Sequence, residues 1–378
     1  MNDLSRITKK FGDLSSWQDG PAFWVSKPGQ GLPLLKKLTQ FTVRVIGSSA
    51  GKREIIAIES GEREELDTTM DNLHSAIASK LVPPDPTDIY PESFYGSKRR
   101  RKPVIAIQGG IHGSELTGTV AGFNLLQVIA TGQDLRGKPW PRLAELARAS
   151  RVVFIPWLNI DGVERFPLSC TSGVPSELEQ LLTHGVLADG TPFKYPENKR
   201  YFPIPPEKVA FMGCYFNDAG VNLQYDFTSV RRQPETEAWM SYYLRERPDG
   251  ILICHCNAGS MIDLPEYYVP VGYQQIVSRI GGAVRSRLLR EGYEIGRTSW
   301  GLLPGLGKPF LTQMAATYHV CGGTPLMCEF PAGVKEFFFT PDQMLDIGLL
   351  TLEEVFSFAH RDGFRPYELW DKVKKTLV

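Results

Sequence analysis

The sequence predicts an α/β fold: a mixed, mostly parallel central sheet with helices on both faces. Three observations carry that expectation. Short continuous apolar runs recur along the chain, stretches of helical periodicity lie between them, and reactive residue types gather where the apolar runs end. A strand covered on both faces has no solvent side, so its sequence reads as a run rather than an alternation. Strands alternating with helices favour parallel pairing, because each crossover helix lies over one face of the sheet.

Taken in order, residues 1–35 are rich in Gly, Pro and Trp without a clear period and are expected to form an irregular N-terminal extension. A single domain is expected over 36–378. Phe41 to Val45 and Arg53 to Ile58 alternate apolar and polar residues on either side of Gly47-Ser48-Ser49-Ala50-Gly51, which is the pattern of a hairpin. Residues 60–102 read as a charged loop or insertion holding Pro83-Pro84-Asp85-Pro86 and ending in Lys98-Arg99-Arg100-Arg101-Lys102. Such a basic run can mark a nucleic-acid patch, but directly before a buried strand it reads as a solvated loop. Val104-Ile105-Ala106-Ile107 is the first buried strand, and Leu116 to Ala130 has apolar residues at helical spacing. Further strands follow at Val152-Val153-Phe154-Ile155, at Gly250-Ile251-Leu252-Ile253-Cys254, and at Leu326-Met327-Cys328 with Phe330. Glu235 to Arg247 and Tyr273 to Glu291 are the helical stretches between them.

At 378 residues the chain can bury a large core. Its 42 basic and 42 acidic residues cancel, which gives no bulk pull toward nucleic acid or membrane. No apolar run reaches the roughly 18 residues of a membrane span. Met1-Asn2-Asp3-Leu4-Ser5-Arg6 lacks the apolar stretch of a secretory signal, and six cysteines are too sparse for a disulfide framework. A cytoplasmic protein is expected, with neither nucleic acid nor membrane as partner.

In open α/β sheets, ligands bind beyond the carboxyl ends of the strands. Gly109-Gly110-Ile111-His112-Gly113-Ser114-Glu115 follows the first buried strand, His255 ends the third, and Glu329 is a lone carboxylate in the apolar run of the fourth. His112 and Glu115 are three apart, hence neighbours on one side of a turn entering a helix. A catalytic zinc takes three protein ligands of imidazole or carboxylate type plus a water. Two ligands from a short motif and a third from a distant strand suit that need, so one zinc ion on His112, Glu115 and His255 is one reading of these residues. A bare His-x-x-Glu more often occurs as surface or helix-cap polarity; here flanking glycines, a strand before and a helix after put the two readings on an equal footing. Other patterns fail. Gly301 to Lys308 suggests a phosphate loop, but Pro309 stands where Ser or Thr must bind Mg²⁺. Strand alternation sends Cys254 and Cys256 to the face opposite His255. His319 and Cys321 lack a third orienting group for nucleophilic catalysis.

The glycine-flanked His112-x-x-Glu115 motif resembles the first metal motif of the zinc carboxypeptidases, the relatives of carboxypeptidase A. Asn159-Ile160-Asp161-Gly162 is similar to that family's Asn-Pro-Asp-Gly loop. Gly220-Val221-Asn222-Leu223-Gln224-Tyr225-Asp226-Phe227 is similar to its Gly-Val-Asp-Leu-Asn-Arg-Asn-Phe segment, and Pro234-Glu235-Thr236 to the helix start that follows. His255 and Glu329 come next, in the family's order, so that the resemblance spans roughly residues 35–350. It implies a carboxypeptidase-like (phosphorylase/hydrolase-like) three-layer sandwich and a metallopeptidase acting on a peptide or amide-containing small substrate. The two-His, one-Glu zinc set is that of carboxypeptidase A.

The resemblance also implies roles. Glu329, its pKa raised by apolar surroundings, is the expected general base; a structural carboxylate paired with a buried cation is the alternative. Arg200 is the expected donor to the developing oxyanion, or else a surface arginine. Tyr318 stands where the family carries a substrate-binding tyrosine, or else is a core residue. The Asn-Arg pair that clamps a substrate's terminal carboxylate is replaced by Gln224 and Tyr225, and tyrosine lacks arginine's charged fork. Strict C-terminal exopeptidase activity is therefore not expected unless Arg231 or Arg232 reaches the site. Asn222 replaces the aspartate that orients the first histidine, so it can accept a hydrogen bond without adding charge. A deacylase of N-acyl amino acids, as in the aspartoacylase-like branch, and a non-catalytic binding protein on the same fold are the alternatives.

Overall fold

Seven strands form one mixed sheet in the order β1-β2-β4-β3-β7-β9-β8: β1 (Thr42–Ser48), β2 (Glu54–Ser60), β3 (Val104–Gln108), β4 (Arg151–Ile155), β7 (Gly250–Asn257), β8 (Ile262–Asp263) and β9 (Thr324–Pro331). A separate pair, β5 (Gly185–Leu187) and β6 (Val209–Met212), is antiparallel. The computed structural model describes residues 4–17, 19–65, 101–193, 203–227, 229–257, 262–263, 269, 271–294 and 312–364. Pro83 to Pro86, Lys98 to Arg100, Arg200 and Gly301 to Lys308 lie outside them.

The expected hairpin is β1 and β2. The three central pairings, β4 with β3, β3 with β7 and β7 with β9, are parallel, and the outer ones are antiparallel. Both β3 and β4 are buried at every residue, as their continuous apolar runs require.

The stretch expected to be irregular is partly helical. It holds α1 (Ser5–Phe11) and α2 (Pro28–Lys37), and Ile7, Leu14 and Trp24 join the main core. Trp24 Nε1 donates to Ser169 O at 2.8 Å, and Trp157 Nε1 donates to Ser26 O at 2.7 Å. The helices are short, and the buried stripe of α2 consists of Pro28, Gly31 and Leu35, residue types that do not read as an apolar helical period.

One face of the sheet carries α3 (Thr117–Thr131), α4 (Pro141–Arg148), α9 (Val271–Arg290) and α11 (Pro341–Arg361). Glycines let α3 lie close: a Cβ on Gly118 would stand 2.2 Å from Cys254 Cβ, and one on Gly122 2.3 Å from the Phe154 ring. The sequence reading passed over α11, whose start is a reciprocal cap in which Thr340 Oγ1 accepts from Gln343 N and Gln343 Oε1 accepts from Thr340 N. The opposite face carries α8 (Pro234–Glu246) and α10 (Gln313–Cys321). There Gln108, at the end of β3, takes hydrogen bonds from Tyr243 Oη at 3.1 Å and Gln313 Nε2 at 3.3 Å. Among the described residues, no helix is long and apolar enough to cross a membrane.

Candidate metal centre

The first two donors sit on a loop that the fold pins from several sides. Past β3 the chain turns at Gly110, whose φ of +60° puts it in the left-handed region that suits glycine. Leu158 N donates to Gly109 O and Asn159 N to Gly110 O, at 3.1 and 2.8 Å. Gly113 N donates to Cys214 O at 2.8 Å, and a Cβ on Gly113 would stand 2.1 Å from the Gly162 carbonyl carbon. Glu115 N then closes the turn on His112 O at 3.1 Å, so both side chains face one way as α3 begins.

The Asn-Ile-Asp-Gly motif is the frame against which this loop leans. Asn159 Oδ1 accepts from Gly162 N at 3.0 Å and caps α5 (Ile160–Arg165). Asp161 is buried and gathers four donors: Ser49 Oγ at 2.6 Å, Arg53 Nη1 at 2.7 Å, Gly51 N at 2.8 Å and Asp218 N at 3.1 Å. The β1–β2 turn, α5 and the 217–218 segment are thereby tied together. Glu235 adds a second tie, accepting from Ala50 N at 2.9 Å and Asn217 Nδ2 at 3.2 Å. Burial pushes its carboxyl up to about 7.

His255, on β7, completes the group. Its Nδ1 lies 2.9 Å from Glu115 Oε2 and 3.3 Å from His112 Nδ1, while His112 Nδ1 lies 3.0 Å from Glu115 Oε2. All three residues are buried. Zinc with ligands at about 2.0–2.1 Å in tetrahedral array sets donor atoms about 3.3 Å apart. Two imidazole nitrogens and a carboxylate oxygen at these separations fit that cation. Burial opposes the charge on Glu115, but His112 and His255 hold its carboxyl well below the usual range. Glu329 pairs in register with His255 on the adjacent parallel strand, so the two side chains share a face of the sheet. It is half-buried, more open than the three donors.

The structure adds a residue that the sequence reading missed. Tyr215 stacks on His112, ring centroids 3.7 Å apart and planes 14° apart, and its hydroxyl donates to Glu115 Oε1 at 2.9 Å. Burial and the nearby Glu115 push the phenol well above its ordinary pKa, so it stays a donor. No motif singles it out; its only signal was an aromatic residue shortly before the Gly-Val-Asn segment. Behind it, α6 (Ser176–His184) places Thr183 Oγ1 2.9 Å from Ser114 Oγ and 2.6 Å from Glu179 Oε1. Enclosure pushes the Glu179 carboxyl up to about 7.

The remaining expected residues are more scattered. Asn222 caps α7 (Leu223–Asp226), its Oδ1 accepting from Gln224 N at 3.1 Å. Gln224 is buried on that helix and Tyr225 is half-buried beside it. Arg231 is exposed, and its backbone N–H donates to Ser229 Oγ; Arg232 pairs with Glu237. Tyr318 is buried on α10 in a small cluster with Val269, Tyr273 and Ala315, and meets the Tyr273 ring edge-on at 4.9 Å. Arg200 lies outside the described residues.

Residues 35–170 match the model of the family described as zinc carboxypeptidase. A comparison with curated proteins finds no match. Among solved structures, the metallo-carboxypeptidase from Burkholderia cenocepacia is similar at TM-score 0.55 and 13% identity, over 88% of this chain and 69% of that one. Bovine thrombin-activatable fibrinolysis inhibitor, in complex with tick carboxypeptidase inhibitor, gives 0.53 and 12%, over 88% and 95%. Carboxypeptidase A from Helicoverpa armigera gives 0.51 and 14%, over 94% and 79%. At such identities the structural likeness establishes the fold, while the matched segment carries His112 and Glu115. The chain thus matches the zinc carboxypeptidase model over 35–170, shares the fold of metallo-carboxypeptidases, and closes with His255 a His-Glu-His group that could hold a metal ion.

Proposed function

We propose that the chain hydrolyses a peptide or peptide-like amide bond, using one zinc ion on His112, Glu115 and His255 with Glu329 as general base. The observation that carries this reading is convergence: three buried donors lie 2.9–3.3 Å apart, and a carboxylate sits in register beside one of them. Zinc bound there supplies Lewis acidity toward the scissile carbonyl and makes water a stronger acid. Glu329, at the more open rim, takes the proton from the attacking water and passes it to the leaving nitrogen. Tyr215 and the Asp161 frame hold the donors so that little reorganises during the reaction. Arg200 is proposed to donate to the carbonyl oxygen as charge develops on it.

Gln224 and Tyr225 take the places of the family's carboxylate clamp and offer no permanent positive charge, so the proposed substrate is not selected by a free C-terminal carboxylate. Exposed Arg231, and Tyr318 if it leaves its aromatic cluster, complete the proposed substrate contacts. A cytoplasmic location belongs to the same proposal, and six cysteines outside any disulfide suit a reducing compartment.

Glu329→Gln is the test. The variant should bind zinc with parental stoichiometry and lose about 10²–10⁴-fold in kcat on an amide substrate. Undiminished turnover with zinc in place would show that the base is another group. Chelation should abolish turnover and added zinc restore it; full activity of the metal-free protein would refute the metal's part.

A further inference from the structure

Tyr215 touches two of the three donors, and it touches them differently. Its ring lies flat on His112, which limits rotation of that imidazole. Its hydroxyl engages Glu115 Oε1, whereas the oxygen nearest both histidine Nδ1 atoms is Oε2. The tyrosine is itself seated by the fold. Tyr215 N donates to Thr183 O at 3.0 Å, Cys214 O accepts from Gly113 N at 2.8 Å, and the His184 ring meets it edge-on at 5.0 Å. It is thus clamped between the end of α6 and the loop that carries His112 and Glu115.

A carboxylate with both oxygens available can offer a cation one oxygen or two. The phenol's hydrogen bond draws Oε1 away and leaves Oε2 as the oxygen turned toward both histidines, which biases Glu115 toward offering one oxygen. We propose that Tyr215 is a positioning residue that makes Glu115 a one-oxygen ligand and fixes the plane of His112, so that a fourth coordination position stays open. This rests on the zinc reading of His112, Glu115 and His255. It assigns no contact between Tyr215 and substrate.

Tyr215→Phe keeps the ring and removes the hydroxyl. Measured on the full chain, its zinc affinity by chelator competition should fall about ten- to hundredfold. In the cobalt(II)-substituted protein the visible band should weaken and shift, because a released Oε1 lets the coordination number rise. A merely structural tyrosine would leave that spectrum alone. Should the phenylalanine variant not fold, Tyr215→Leu, checked by near-ultraviolet dichroism, takes the same two readings and is expected to lose more, since stacking goes as well. Affinity and spectrum both equal to the parent's would overturn the proposal. A parent chain that binds no zinc would overturn the metal reading along with it, and the two failures are told apart by that parental measurement.

Discussion

Truncating Asp161 to alanine removes one acceptor group from four donors at once. Arg53 is 39% exposed and also pairs with Asp218 at 2.7 Å, so water and that second carboxylate absorb most of its loss. The other three donors fare worse. Ser49 is fully buried, and the Gly51 and Asp218 amides point into the space the carboxylate leaves. A stranded buried donor costs about 1–3 kcal/mol, and solvent reaching the exposed Asp218 lowers its share, so roughly 3–4 kcal/mol is expected for Asp161→Ala. Unfolding entropy of about 2.1 cal/mol/K per residue gives roughly 0.8 kcal/mol/K for a chain of 378 residues, hence a melting temperature lower by roughly 4–5 °C. Asp161→Asn keeps an acceptor oxygen and should lose about half as much. Because Gly162 abuts Gly113 of the metal loop, zinc affinity should fall together with stability. Calorimetry of the metal-free variants measures the first effect and chelator competition the second. A melting shift under about 1 °C for Asp161→Ala would refute the claim that this carboxylate holds the frame, because it corresponds to less than one stranded hydrogen bond.

Burial raises the carboxyls of Glu179 and Glu235 to about 7, so their contribution to stability is whole below about pH 4.5 and is lost as pH rises through 7. Melting temperature should therefore fall between pH 5 and 8. Glu235→Gln should remove part of that fall, and an unchanged slope would discount its titration. Gly118→Ala should cost about 1–3 kcal/mol by forcing a methyl against Cys254. Gly282→Ala, exposed within α9 with nothing near its would-be Cβ, should gain about 0.5–1 kcal/mol; opposite signs in paired melts check both. His255→Ala should leave zinc near zero occupancy after dialysis against a weak chelator, read by elemental analysis; retained stoichiometric zinc would remove His255 from the ligand set.

What the sequence made legible was what period and position encode. The buried strands at Val104, Val152, Gly250 and Leu326 were readable because a strand covered on both faces leaves a continuous apolar run. His112, Glu115, His255 and Glu329 stood out because polar residues at the ends of such runs have few structural reasons to be there. Three features escaped. Trp24 and Trp157 anchor the N-terminal stretch through indole N–H bonds to backbone carbonyls, contacts between positions far apart in the chain with no local signature. The helix from Pro341 to Arg361 was passed over, although Thr340-Pro341-Asp342-Gln343 spells its cap. Tyr215 escaped because stacking and a single hydroxyl contact are three-dimensional facts. In sequence it is one aromatic residue among many.

The pairing of His255 with Glu329 also bears on how much of this chain can change. Their separation is set by a rung of the backbone ladder between β7 and β9, and a backbone rung takes no account of which side chains surround it. Neighbouring positions on those strands can exchange one apolar residue for another without moving these two side chains apart. A sheet of this kind behaves as a ruler whose marks outlast its material. That gives a physical route by which a fold can persist while identity with structurally similar proteins stands at 12–14%.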